Sequence, residues 1–292
     1  MNSLGSKQKL SILLFSIFCI FILDCTGHQS GRISNEESLT STIKKGKLYW
    51  DQRTDTTSIK NAQFFIGSAY SQKPSDYDLA ILYSEILYTN GLFFEKNKID
   101  KAKLFLNGFK ICKKAVYNHP DFSSIYQNAQ GDSSFRLLST ISEAPKSLIP
   151  GLFWWANNLS RYLNSKPVLE RIKNRELIEV ILHRIISLDP SFNYSGAYRI
   201  FGSFYTRIPG IELSQSKNYF DQAINLNPNY FGNFIHLAEF YYQKAGNKEL
   251  FNKILTDIIN LDPSTYPEIM PENILYQEKA KTLLDKESSL FE

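Results

Sequence analysis

Two stretches of this chain hold side chains whose types and spacing suit them to grip an organic molecule. The first is Trp154-Trp155-Ala156-Asn157-Asn158. Adjacent helical positions point about 100° apart, so the two indoles cannot face the same way. One belongs in a core. The other either stays there too or lines a groove, a pore or a subunit contact, with Asn158 one turn after Trp154 on the same face. The second stretch is Tyr198-Arg199, followed by Tyr205 and Arg207. An arginine beside a tyrosine ring can offer a bidentate fork to the carboxylate of an organic acid. The plainer alternative is an arginine that caps a helix end or pairs with a nearby acid such as Glu212.

Catalytic and metal chemistry have no comparable signature. His28, His119, His183 and His236 share no ligand spacing. Nucleophile elbows, phosphate loops, dinucleotide fingerprints and His-Glu-x-x-His are all missing from the sequence. The expectation is a protein that is no enzyme and carries no cofactor and no metal. The formal charge of +4 is too small for nucleic acid, and its basic residues alternate with acids as on solvated helix faces. Three cysteines cannot build a disulfide framework here. Cys112, within Phe109-x-x-Cys112-x-x-Ala115, reads as a small buried hydrophobe.

Cys25 carries a different chemistry. Lys7 and Lys9 precede an apolar run of 14 residues, Leu10 to Leu23. That is short of the roughly 20 needed to span a bilayer and suits the apolar stretch of a secretory signal. Ile22-Leu23-Asp24-Cys25 resembles a bacterial lipobox, in which the thiol is acylated and the mature chain begins at the cysteine. The charged Asp24 departs from the small residue usual there. A lipoprotein is the leading reading, beside an uncleaved anchor or an ordinary secreted protein. The expected division is a signal peptide over 1–24, a lipid-anchor cysteine and flexible linker over 25–34, and a helical repeat domain over 35–292. The chain is thus expected in a bacterial cell envelope, lipid-anchored and facing the periplasm. Thr26 after the cysteine tilts the expectation toward the outer membrane.

The elements that must position the first two stretches are helices. Tyr198-x-x-Phe201-Gly202-x-x-Tyr205 leads through Arg207-Ile208-Pro209-Gly210 into Ser216-x-x-x-Phe220-x-x-Ala223 and stops at Pro228. This is the grammar of a tetratricopeptide repeat. Gly202 and Ala223 let two antiparallel helices approach, and the aromatic residues fill the seam. Ala62, Ile66, Ala69 and Pro74 stand at the same offsets as Ser216, Phe220, Ala223 and Pro228. Pro190, Pro228 and Pro263 are spaced by 38 and 35 residues, near the roughly 34-residue period of the repeat. One such pair cannot bury its apolar face alone, so copies must stack. The fold class expected is all-α, a divergent tetratricopeptide-like bundle or solenoid. An irregular zone is expected over 121–150, single helices over 168–188 and 194–207, and a capping helix over 271–291.

With these residues in place, the chain resembles the T component of TRAP transporters, the TatT-type periplasmic lipoproteins. The resemblance rests on ordered segments: Pro150-Gly151-Leu152-Phe153-Trp154-Trp155-Ala156-Asn157-Asn158, then Gly196-Ala197-Tyr198-Arg199-Ile200-Phe201-Gly202, then Leu237-Ala238-Glu239-Phe240-Tyr241-Tyr242, then Glu272-Asn273-x-Leu275-x-Gln277. Tyr49-Trp50-x-x-Arg53 fits more loosely. The resemblance implies self-association, with a trimer around a central pore as one form. It also implies a periplasmic solute-binding protein, the P component, as partner, and a small organic ligand guided through a groove or pore. The alternative is a scaffold lipoprotein that organises envelope proteins and touches no small molecule.

Overall fold

The computed structural model describes residues 37–292. The expected signal peptide, Cys25 and the whole of the linker lie outside the described residues. Those described are helical, with no strand among them. The stack opens with α1 (residues 37–51), α2 (Thr56–Gln72) and α3 (Tyr77–Thr89), which runs on into a π-helical turn, Asn90–Phe94. α4 (Lys98–Asn118), α5 (Pro120–Asn128), α6 (Ser133–Glu143) and α7 (Ile149–Leu163) come after it. Next come α8 (Val168–Lys173), α9 (Arg175–Leu188), α10 (Phe192–Tyr205) and α11 (Leu213–Leu226). α12 (Phe231–His236) continues into a second π turn, Leu237–Tyr242, ahead of α13 (Lys248–Asn260), α14 (Met270–Leu284) and the short α15 (Glu287–Leu290).

Capping residues set many of the helix starts. Asp55, Asp76, Asn97, Asp132 and Asn247 each accept hydrogen bonds from first-turn amides that have no partner inside their helix. The repeat grammar then fixes how neighbours pack. A Cβ on Gly202 would stand 2.7 Å from the Phe220 ring, so only glycine lets α10 lie this close to α11. Ser216 Oγ donates to the Gly202 carbonyl at 2.6 Å across the same contact. Ile59, Ala62, Ile66 and Ala69 are fully buried on α2, in the positions their matching offsets imply. The main core gathers Cys112, Phe122, Phe153, Trp155, Ile181 and Phe201 from α4 to α10.

The chain departs from the sequence expectation at five places. The zone expected to be irregular holds α5 and α6: Pro120 occupies the first position of α5, where its missing N–H costs nothing, and His119 Nδ1 accepts from the Asp121 amide. The expected helix over 168–188 breaks into α8 and α9 at Asn174, whose side chain bonds back to the Glu170 carbonyl. α10 opens with a left-handed turn: Asn193, Tyr194 and Ser195 have φ of 48°, 55° and 59°. Two π turns interrupt α3 and α12.

The fifth departure concerns the last long helix. It ends at Leu284, short of the expected 291, and it caps less than it closes. α14 buries Asn273, Leu275, Tyr276, Ala280 and Leu283. It meets the early part of the chain through Arg53–Glu272 and through Phe93–Tyr276, whose rings are 5.0 Å apart. The two ends of the stack therefore touch, and what an open solenoid would present as a groove becomes a pocket walled on several sides.

Candidate functional site

That space is a cavity of about 210 Å³. α3 supplies Glu85, Tyr88 and Thr89, and its π turn swings Phe93 into the wall. α7 supplies Trp154 and Asn157. The start of α10 contributes Asn193, Tyr194 and Arg199. Tyr230, Glu268, Glu272, Leu275 and Tyr276 come from the C-terminal helices and their loops, and Arg53 from the turn after α1. A π turn adds one residue to the ladder and so rotates the facing of later residues, and such turns concentrate at functional sites.

Rings line it in two groups. Tyr88 and Trp154 lie 5.3 Å apart, Tyr194 stacks on Tyr230 at 4.7 Å, and Tyr276 meets Tyr230 and Phe93 edge-on at 5.6 and 5.0 Å. These are the separations at which aromatic pairs attract.

Arg199 holds the left-handed turn in place. Its Nη1 donates to the Tyr194 carbonyl at 3.0 Å and to Asn233 Oδ1 at 2.7 Å. Its Nη2 donates to the carbonyl and to Oδ1 of Asn193, at 3.4 and 3.3 Å. The guanidinium also lies 4.7 Å over Tyr230. Each non-glycine residue in the left-handed region costs on the order of 1–3 kcal/mol, and such turns survive only where surrounding bonds over-determine them. Arg199 supplies those bonds, aided by Asn227, which donates to Ser195 Oγ at 2.6 Å.

The charges in the wall are unequal in what they have left to offer. Arg53 donates from Nε and Nη2 to Glu272 Oε1 and from Nη1 to the Trp50 carbonyl. Glu85 makes no hydrogen bond or ion pair among the described residues. Burial pushes its carboxyl up to about 7; the nearby Glu272 adds to the rise and Arg53 opposes it. Burial pushes the Tyr276 hydroxyl up to about 12, so it stays neutral.

Behind Tyr88 lies a second, more open space of about 290 Å³, bordered by Lys98, Lys101, Arg161, Glu239 and Lys279. Arg161 forms part of the partition. Its Nε donates to Tyr88 Oη at 3.4 Å and its Nη2 to His236 Nε2 at 2.9 Å. Burial, together with Arg161, Arg199 and Lys279, holds His236 well below the usual imidazole range and therefore neutral.

Of the residues singled out from sequence, the structure brings Trp154 and Arg199 together at the cavity. Trp155 points the other way, fully buried between Phe109 and Tyr117. Asn158 is also fully buried and is not part of this cavity's wall; its Nδ2 donates to the Trp154 carbonyl at 2.9 Å, and its amide packs against Gly108. Tyr205 donates to Glu179 Oε1 at 2.7 Å, an acid also bound by Arg175. Arg207 sits outside, over Phe240 at 5.1 Å, and does not pair with Glu212. Glu239 pairs with Lys279 beside the second space. Sequence reasoning missed Glu85, Tyr88, Tyr230 and Tyr276. Arg53 and Glu272 were each visible within a motif, but nothing local marked them as partners.

The family model described as the TRAP transporter T-component matches residues 68–291. A comparison with curated proteins returned no match. The matched stretch holds α3 to α14 whole, and with them every wall of the cavity except Arg53. With its all-α body and a match over most of its length, the chain belongs to the TRAP transporter T-component family.

Proposed function

We propose that this protein serves a TRAP-type uptake system from the periplasmic face of the envelope, tethered by an acylated Cys25. It docks a solute-binding P component and holds a small organic ligand in the aromatic cavity during hand-off. The observation that carries this reading is the cavity itself: ring-lined, closed by Arg53–Glu272, and built from both ends of the helical stack. Ligand sites are concave and set apolar walls beside placed polar groups; this space sets its aromatic and phenolic rings against Arg53, Glu85, Arg199, Glu268 and Glu272. Recovery of the protein from membranes under mild conditions tests the partnership. A co-purifying solute-binding protein is expected, and its absence from native complexes counts against the reading. Cys25→Ser is expected to release the chain from the membrane fraction, and a variant still sedimenting with membranes would refute the tether. Self-association, as a trimer or otherwise, is read by mass photometry of the same sample.

A further inference from the structure

We propose that the ligand of this cavity carries a positively charged nitrogen, seated at the Glu85 carboxylate with its carbon body against Trp154, Tyr88 and Tyr230. This rests on the cavity being a ligand site, and it names the chemistry of the molecule that enters.

The argument begins with which charges are spent. An arginine fork in the wall suggests a carboxylate ligand. Yet Arg53 is committed to Glu272 and to the Trp50 carbonyl, and its guanidinium lies 4.5 Å over the Trp50 ring. Arg199 is committed to Asn193, Tyr194 and Asn233. Arg199 keeps only its Nε free, and Arg53, though one N–H remains on each Nη, already has its charge offset by Glu272. The spare capacity is acidic. Glu85 and Glu268 make no bond among the described residues, and both bonds from Arg53 fall on Oε1 of Glu272. Three carboxyls face two guanidiniums.

An ammonium group suits the capacity left over. It brings donors and no acceptor, and it is drawn to the negative faces of tyrosine and tryptophan. Glu85 stands on the same helical turn as Tyr88, whose ring meets Trp154. Size limits the ligand to one small ring or a short chain, since an engineered cavity of about 150 Å³ takes benzene and this one is about 210 Å³.

Binding then depends on the proton at Glu85. The charges that act on it are those of Glu272 and Arg53; Tyr194 and the Cys112 thiol of α4 feel its charge, and Glu268, Arg199, Tyr88, Tyr230 and Tyr276 line the same cavity. Burial pushes that thiol up to about 12, so it stays neutral near pH 7. Glu85 is the group that changes charge there. An amine remains protonated throughout, so its affinity rises as Glu85 ionises; an anionic ligand would show the reverse.

The test uses the full chain and three compounds of matched size: phenethylamine, its neutral counterpart 2-phenylethanol, and phenylacetate. Calorimetry at pH 8 is expected to show phenethylamine binding at least about tenfold more tightly than the other two, the equivalent of one ion pair's worth of affinity. Its affinity is expected to rise about tenfold between pH 6 and pH 8 as the carboxyl titrates. Glu85→Gln is expected to remove both the preference and the pH dependence, with circular dichroism confirming the fold. The native protein's pH profile stands as evidence even if that variant does not fold. Equal or tighter binding of phenylacetate or 2-phenylethanol, a pH-independent amine affinity, or binding of none of the three overturns the proposal. Each of those results leaves recovery of a solute-binding partner as a separate readout of the wider function.

Discussion

Arg53 and Glu272 stand 219 residues apart in sequence and are joined through two bonds to one carboxylate oxygen, at 2.8 and 2.5 Å. The pair fastens the turn after α1 to the first turn of α14. Both side chains are largely withdrawn from solvent, at 12% and 21% exposure. The position of Glu272 is doubly favourable, because an acid in the first turn of a helix also meets the positive end of the helix dipole. A stack of repeats has two free ends; this contact ties them together around the ring-lined cavity.

Removing one partner should loosen that closure. Glu272→Gln is expected to cost about 1.5–3 kcal/mol, the range for hydrogen bonds to charged groups. Hydrogen exchange should quicken in α14 and in the turn around Arg53 while α7 and α9 keep their protection. Uniform change across the chain would mean that the pair does not act as a local latch.

Glu85 gives a pH signature. Its folded-state value is raised, so the folded chain holds a proton that the unfolded chain has already lost between about pH 4.5 and 7. Stability from this group is therefore intact below that window, falls as pH rises through it, and is flat above it. Glu85→Gln should be more stable than the native chain at pH 8, by up to about 3 kcal/mol given about 1.4 kcal/mol per pKa unit, and equal to it at pH 4. Denaturant melts at the two pH values read this directly. A native chain that gains stability across the window would contradict the placement of this carboxyl.

Arg199 is a clamp, and a lysine cannot replace a fork that reaches four acceptors. Arg199→Lys is expected to destabilise the chain by about 2 kcal/mol, the scale of a charged hydrogen bond left unmade. Exchange of the Asn193–Ser195 amides should rise before any other part of α10 responds. Unchanged protection there would show that the left-handed turn holds itself.

The Gly202 contact supports a packing prediction. Gly202→Ala gains about 1 kcal/mol in helix propensity, against about 1–3 kcal/mol for overpacking. The Phe220 ring is fully buried and has nowhere to retreat, so a net loss is expected in thermal melts. A stabilised variant would mean that α10 and α11 can slide apart.

Much of the fold was legible because repeat grammar is local. Gly202, Ser216, Phe220 and Ala223 sit where their spacing puts them, the last three on α11, which stops before Pro228 as the repeat grammar requires. The facing of the two indoles was also legible, since it comes from helical rotation alone. Contact between distant segments resisted reading. No periodicity couples Arg53 to Glu272, so a closing helix looked like a cap. The π turns resisted too, because an inserted residue in a helix leaves no compositional mark. Asn158 misled for a physical reason: a polar side chain inside a helix can spend its donor on the carbonyl four residues back, here that of Trp154. Arg199 suggested a carboxylate fork, whereas its bonds go to the backbone and amides of its own neighbourhood.

Native mass spectrometry of the full chain, extracted from membranes in mild detergent, tests most directly whether the space closed by Arg53 and Glu272 holds a ligand. The native protein is expected to carry one small organic molecule, lost in Leu275→Trp, where a larger ring fills the cavity. A native protein with no bound molecule, or one that keeps its molecule when the cavity is filled, would contradict the account.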